Sequence, residues 1–296
     1  MSKIAVARSS FLAAIGLTAF KLVVGLTTGS LGIISEAIHS GLDLVAAFIT
    51  LVAVRVADKE PDREHQFGHG KFENLSALME TMLLVITCVW IIYEAIHRLS
   101  TGRLEIEVNL WSFVVIVVAI IVDFSRSRAL SRAAREFHSQ ALEADALHFS
   151  SDIFSSLVVL VGLVCYTLDI KIADSIASII VAMIVLGVSW RLGQRSVSVL
   201  VDRAPEGVTQ KIEQLLHSYA DVEKVENIRV RSAGPDIIIE MTIESNPMLS
   251  FEASHRLSDR IEQNIQDAIP RSHVHVHMEP SGHDSSGHAQ ETSLGA

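Results

Sequence analysis

The chain has 296 residues, of which 49% are apolar, and its mean hydropathy is +0.38. This composition excludes an ordinary soluble protein and fits one membrane domain followed by one small soluble domain. The formal net charge of −10 comes largely from the last third of the chain, and no nucleic-acid partner is expected.

Six stretches are long enough to form membrane-spanning helices, because about 20 helical residues cross roughly 30 Å of hydrocarbon. In chain order they are predicted at 9–29, 31–55, 75–97, 109–127, 145–168 and 172–194. The first two are separated by little more than Gly29 and Ser30, so they form a tight helical hairpin. The long apolar runs stop after Asp202, and we therefore predict a transmembrane domain over residues 1–204.

Cations in the loops predict the orientation, since Lys and Arg accumulate on the cytoplasmic side of a membrane protein. The side that carries both termini holds most of them, among them Lys3, Arg55, Lys71, Arg135 and Arg195. The opposite side has only Arg98, Arg103 and Lys171. Both termini are therefore expected in the cytoplasm.

Residues 205–281 have the alternating pattern of a compact α+β unit. The predicted elements are a helix from Pro205 to Asp221, strands Val225–Ser232 and Ile237–Glu244, a helix Phe251–Ala268 and a strand His273–Met278. This αββαβ order predicts a ferredoxin-like domain with its helices on one face of the sheet. The remaining residues, 282–296, are Gly, Ser and His with almost nothing to bury, and we predict a disordered tail.

Ionisable side chains inside membrane spans are costly and are candidates for function. The second span contains His39-x-x-x-Asp43 and the fifth contains His148-x-x-x-Asp152. A spacing of four residues is about one helical turn, so each pair projects from one helix face. Two such faces placed together offer two imidazoles and two carboxylates, a set that suits tetrahedral Zn²⁺.

Two further groups of residues have spacings that metal ligands can adopt. Asp62, His65 and His69 lie in the loop between the second and third spans. The alternative is that they belong to an ordinary charged loop that binds no metal. In the soluble domain His273, His275 and His277 alternate along one strand, with Glu279 beyond them and His255 on the preceding helix. That face binds metal or is simply a polar sheet surface.

For the two His-x-x-x-Asp motifs in the spans, the alternative to metal binding is that buried polar residues hold the helices together.

The chain resembles the cation diffusion facilitator family, in its subgroup of bacterial zinc and iron efflux proteins. The resemblance is carried by the two His-x-x-x-Asp motifs, by Phe67-Gly-His-Gly-Lys71 and by Leu200-Val-Asp202-Arg203. It covers all six spans and the cytoplasmic domain, and it implies a homodimer in a bacterial inner membrane that exchanges divalent metal ions for protons. No cofactor is implied, since the metal is the cargo.

The resemblance also implies roles for particular residues. The transport site corresponds to His39, Asp43, His148 and Asp152. The loop site corresponds to Asp62, His65 and His69, and a charge interlock near the dimer hinge corresponds to Lys71 and Asp202. Relatives that also carry iron or cadmium have Asp where this chain has His39, which favours zinc over Fe²⁺, Cd²⁺ and Mn²⁺.

In the cytoplasmic domain the resemblance is less complete. His255 and His277 match family ligands, and Glu279 replaces an Asp. Two further family histidines correspond to Glu226 and Thr242, so we expect one weakly held metal, bound by His255, His277 and Glu279 or Glu226.

Three other classes of function are weighed against transport. An intramembrane metalloprotease would need a His-Glu-x-x-His helix, and an ATP-driven pump would need a Gly-x-x-x-x-Gly-Lys loop; the sequence has neither. A membrane-bound metal sensor or scaffold that acts through the cytoplasmic domain alone remains the alternative.

Overall fold

The computed structural model describes residues 2–29, 31–101, 110–167 and 173–282. It divides into two compact units, Met1–Val201 and Asp202–Ala296, which are considered separately. The predicted tail over 282–296 lies almost entirely outside the described residues.

Six long helices make up the first unit. They are α1 Lys3–Thr28, α2 Leu31–Ala57, α3 Lys71–Thr101, α4 Leu110–Phe137, α5 Gln140–Thr167 and α6 Ala173–Leu200. The Ser2 hydroxyl accepts a hydrogen bond from the backbone N–H of Ala5 and caps the start of α1, and Gly29 ends the helix at φ 67°. A left-handed glycine is a common helix terminator, and it allows the tight turn predicted between α1 and α2.

Several helices are longer than the predicted spans. Hydropathy ends the fourth span at residue 127 and begins the fifth at 145, whereas α4 continues to Phe137 and α5 begins at Gln140. The extensions bury Leu130, Ala133 and Leu142 in a core shared with α1 and α2. Hydropathy averaged over neighbouring residues falls at the first charged side chains. It therefore misses a helix that continues with only one of its sides apolar.

Four of the described helical segments are long and apolar enough to cross a membrane: Lys3–Thr28, Glu36–Ala57, Lys71–Thr101 and Ser175–Leu200. Their outward side chains are apolar, and Leu26, Trp90 and Trp190 are about two-thirds exposed. The interior is richer in small and polar residues, among them Ala46, Thr50, Ala77 and Ser189. Lipid-facing apolar side chains around such an interior are the arrangement of a membrane bundle.

The second unit is an α+β domain in the predicted order. It comprises α7 Val208–Leu216, β1 Val222–Ala233, β2 Asp236–Ser245, α8 Phe251–Ala268 and β3 Ser272–Pro280. The sheet order is β1-β2-β3; β1 pairs antiparallel with β2, and β3 pairs parallel with β2. Helix α7 is shorter than predicted because Gly207, at φ 78°, precedes it and His217 caps its end.

One face of this sheet forms the core of the domain. Ile239, Ile243 and Val276 pack there with Ile212 of α7 and Ile261 of α8. The other strand positions point away from the helices and hold charged and histidine side chains, including Glu240, His275 and His277. The predicted class is confirmed: a helical transmembrane domain followed by a small α+β domain.

Candidate metal centre

The two His-x-x-x-Asp motifs meet inside the helical domain. Ligand atoms of His39, Asp43 and Asp152 all lie within 4.8 Å of one another. The Nε2 atom of His148 is 2.9 Å from Oδ1 of Asp43 and 3.7 Å from Oδ2 of Asp152. The structure thus brings together all four residues that the sequence predicted.

Helical spacing explains how α2 and α5 position these ligands. In each helix the His and Asp are one turn apart and face the neighbouring helix. Asp43 and His148 are buried, and His39 and Asp152 are partly buried. Phe149 packs edge-on against the His148 ring, which fixes the orientation of the imidazole. Two nitrogen and two oxygen ligands in one small volume suit a tetrahedral divalent ion.

A second ligand group lies in the loop between α2 and α3. Asp62, His65 and His69 again have ligand atoms within 4.8 Å of one another. Oδ2 of Asp62 is 3.3 Å from Nε2 of His69, and Oδ1 is 3.4 Å from Nδ1 of His65. His69 is buried and stacks on Phe72, whereas Asp62 and His65 are exposed. The predicted loop residues therefore also lie together.

Backbone hydrogen bonds hold the Asp62 carboxylate in place. Its Oδ1 accepts from the N–H of His65 at 2.6 Å and from the N–H of Glu64 at 2.9 Å. The hydrogen bond from His65 is the largest cause that lowers the pKa of Asp62 below its usual value. The carboxylate therefore stays ionised at neutral pH and can coordinate a cation through Oδ2.

The four cytoplasmic residues do not form such a group within one chain. Glu226 pairs with Thr242 in the sheet register, and Thr242 with His277, so two strand spacings separate Glu226 from His277, about 10 Å. Glu226 forms an ion pair with Lys224, whose pKa is raised by that hydrogen bond. Only His277 and Glu279 approach each other, with Nε2 and Oε1 3.2 Å apart.

His255 is also placed apart from His277. Its Nε2 lies 3.8 Å from Oδ2 of Asp259, one turn further along α8. Helix α8 packs on the sheet face that carries Val276, whereas His277 occupies the opposite face. The expected site of His255, His277 and a glutamate is thus not assembled in the single chain.

A buried lysine beside the candidate ligands was not among the predicted site residues. Lys21 of α1 is buried, and its Nζ is 2.8 Å from Oγ of Ser40 and 3.1 Å from Oε2 of Glu36. Its charge acts on the carboxylates of Asp43 and Asp152. A lysine inside a predicted span was the available signal, because such a charge is rarely buried in a membrane without a role.

Other buried charges form a polar layer beside the candidate site. Glu80 of α3 accepts hydrogen bonds from Thr50 and Ser76. Asp123 pairs with Arg126, whose guanidinium carbon lies 3.4 Å from the centroid of the Phe149 ring. Glu80 and Asp123 thus both have polar partners within the helix bundle.

Lys71 and Asp202, the predicted interlock, belong to different units. Oδ1 of Asp202 lies 3.8 Å from Nη1 of Arg231 within the second unit. The pairing of Asp202 with Lys71 stays a prediction.

Fold and ligand geometry together define a membrane-embedded helical protein with clustered candidate metal ligands, joined to a small α+β domain. Residues 7–201 match the cation efflux transmembrane domain, and residues 204–281 match the cytoplasmic domain of cation efflux proteins. The chain belongs to this cation efflux, or cation diffusion facilitator, family.

Individual relatives agree over nearly the full length. The cation-efflux pump FieF of Pectobacterium atrosepticum is 29% identical over 284 residues, covering 93% of this chain and 94% of the relative. An uncharacterized transporter of Methanocaldococcus jannaschii is 32% identical over 262 residues, covering 86% of this chain and 91% of the relative. A solved structure of CzrB matches 26% of this chain and 98% of its own chain at 26% identity, with a TM-score of 0.26.

The position of Lys21 generates a prediction for metal affinity. A unit charge and a divalent ion about 10 Å apart repel each other by roughly 3 kcal/mol at an effective dielectric constant of about 20, and the ion pair of Lys21 with Glu36 offsets part of that repulsion. Lys21→Gln removes that repulsion and is expected to tighten zinc binding at His39, Asp43, His148 and Asp152 by about tenfold. Competition with a chromophoric chelator measures the affinity. Lys21→Arg keeps the charge and should bind like wild type; equal affinity in all three proteins would contradict the prediction.

Proposed function

We propose that this protein exports zinc from the cytoplasm in exchange for protons. The observation that carries the proposal is the convergence of His39, Asp43, His148 and Asp152 at one buried point. Two carboxylates offset the charge of one Zn²⁺, so the loaded site is close to neutral in a medium of low dielectric constant. An uncompensated divalent ion would be far costlier there.

Proton coupling follows from the chemistry of the same four groups. Zinc binds neutral imidazole and ionised carboxylate, so protons and metal compete for identical atoms. Nε2 of His148 and Oδ1 of Asp43, 2.9 Å apart, already share a hydrogen bond that an arriving zinc would replace. On an acidic outer side protonation releases the ion, and an inward proton gradient drives metal outward.

The two units have different parts in this proposal. With both termini in the cytoplasm, the loop group of Asp62, His65 and His69 lies on the side from which zinc enters. The cytoplasmic domain matches a family domain that is associated with dimers, and we propose a homodimer held near its hinge by Lys71 and Asp202. The sensor alternative has less support, because the described part of the cytoplasmic domain has no group of three clustered ligands.

The first test removes one transport ligand. Asp43→Asn or Asp152→Asn leaves the bound ion with one offsetting carboxylate, and zinc flux into proteoliposomes should fall at least a hundredfold. Asp123→Asn is the matched control, because it removes a neighbouring buried carboxylate that lies outside the ligand group. Flux close to wild type in either ligand variant would refute the transport site, and wild-type protein that binds zinc without moving it would favour the sensor.

A second prediction concerns selectivity among metals. His39→Asp gives the site three carboxylates, each able to bind through one oxygen or two, so the coordination number can rise for a larger ion. Ligand type and geometry set selectivity more than raw affinity does. The variant should carry cadmium or iron(II) alongside zinc, measured as flux of each metal at matched protein and pH. Wild type that carries cadmium as fast as zinc would rule out His39 as the selecting residue.

The interlock is tested by exchanging charges. Lys71→Asp places two acids at the hinge and should reduce zinc flux and the proportion of dimer. Adding Asp202→Lys restores opposite charges and should recover part of both. Ion pairs of this kind contribute most where they are partly desolvated. A double variant that recovers neither flux nor dimer would count against a direct pair.

A further inference from the structure

A cavity of about 760 Å³ opens between α4, α5 and α6, at the end of the bundle where α4 turns into α5. Part of its wall is apolar and comprises Leu147, Val188 and Leu192. Its remaining lining is polar and includes the guanidinium groups of Arg135, Arg191 and Arg195. The proposed metal-transport mechanism assigns no role to this cavity.

The basic groups of the cavity are not neutralised by their surroundings. Arg195 forms an ion pair with Glu143, which also lines the cavity. Among the residues that the structure describes, neither Arg135 nor Arg191 has an ion-pair partner. Three guanidinium groups against one carboxylate leave two positive charges facing the cavity. These charges repel a metal ion, so the cavity is an unsuitable route for the cation.

The position of the cavity relative to the bilayer is indicated by Trp190. This tryptophan immediately precedes Arg191 on α6 and is 64% exposed. Exposed Trp side chains concentrate at the level of the lipid headgroups. The apolar wall therefore continues into the hydrocarbon, while the arginines lie at the depth of the phosphates.

We propose that this cavity binds an anionic phospholipid, with the acyl chains against Leu147, Val188 and Leu192 and phosphate oxygens on Arg135 and Arg191. Basic pockets between transmembrane helices on the cytoplasmic side are known to bind headgroups of this kind, and guanidinium groups bind phosphate in paired hydrogen bonds. A diphosphatidylglycerol headgroup, with one charge on each of two phosphates, matches the two uncompensated arginines.

Bound lipid contacts the helix that holds two of the candidate transport residues. Leu147 lies next to His148 in α5, and Ser150, which also lines the cavity, donates to the carbonyl of Ala146 and shares a hydrogen bond of 2.7 Å with Ser127. A ligand seated here stabilises one packing of α5 against α4 and α6. Anionic lipid is therefore expected to change the rate of transport without touching zinc.

The experiment compares two double variants of the full-length protein that lose the same charge. Arg135→Gln/Arg191→Gln removes the unpaired arginines of the cavity. Arg128→Gln/Arg132→Gln removes two exposed arginines of the same helix α4 that do not line the cavity. Each protein is placed in phosphatidylcholine nanodiscs with a small fraction of diphosphatidylglycerol, and retained lipid is counted by native mass spectrometry.

Wild type and the α4 control should retain diphosphatidylglycerol, and the cavity variant should retain roughly thirtyfold less, since the two arginines near the surface together contribute about 2 kcal/mol to anionic lipid binding. Arg135→Lys/Arg191→Lys should keep part of the binding. Equal retention by the cavity variant and the control would overturn the proposal. Displacement of the lipid by millimolar inorganic phosphate would also overturn it, in favour of a soluble anion.

Zinc binding by each variant, measured with a chelator, separates this proposal from the transport proposal. A cavity variant that has lost lipid but still binds zinc is folded. Its loss of lipid then supports the lipid proposal, whether or not its zinc flux has changed. If the cavity variant fails to bind zinc, the lysine variant decides, because it keeps the charge and the helix packing.

Discussion

The cost of burying charge in a membrane is the constraint on which the rest of this structure depends. Asp43 and His148 are nearly inaccessible, and they lie among apolar helices where an isolated ion would be very unfavourable. In the absence of metal the two residues stabilise each other across 2.9 Å. The arrangement that the cation requires is therefore also one that the protein can maintain without it.

The same constraint explains the other buried polar groups. The positive charge of Arg126 offsets the charges of Asp123 and Asp145, and that of Lys21 offsets the charge of Glu36. Three hydroxyl groups donate hydrogen bonds to nearby carboxylates, namely those of Ser10, Thr50 and Ser76. Each of these bonds joins one helix to another or fixes a side chain on its own helix. Small residues such as Ala46 and Ala77 allow the helices to approach closely enough for these bonds to form. Packing and electrostatics thus depend on the same interfaces.

The candidate transport group was predictable from sequence because a spacing of four residues on a membrane helix determines which side chains share a face. Lys21 was not predicted as part of the site, since its partner Ser40 lies 19 residues away and only the hairpin of α1 and α2 brings the two together. The extensions of α4 and α5 beyond the predicted spans were not predicted from hydropathy for a different reason. Their buried side is apolar, but their average composition is charged.

The histidines of the second unit show the opposite case, in which a correct local pattern does not determine which other residues lie near them. Alternation predicted correctly that His273, His275 and His277 share a face, and the register confirms it. Which residues lie opposite them depends on strand order and on the face that α8 covers, and neither is encoded in the spacing. Glu226 is consequently two strands from His277 and is paired with Lys224.

The two assembled ligand groups differ in exposure, and that difference suits different tasks. Asp62 and His65 are exposed, and backbone N–H groups hold the Asp62 carboxylate in its ionised form. Such a group can bind and lose an ion quickly, because water replaces the ion at little cost. In the group around Asp43 two ligands are buried and two are partly buried, so water compensates their charge poorly and a proton or a neighbouring ion must do so. In the proposed function the group around Asp43 therefore exchanges metal for protons, whereas the loop group can exchange metal for water.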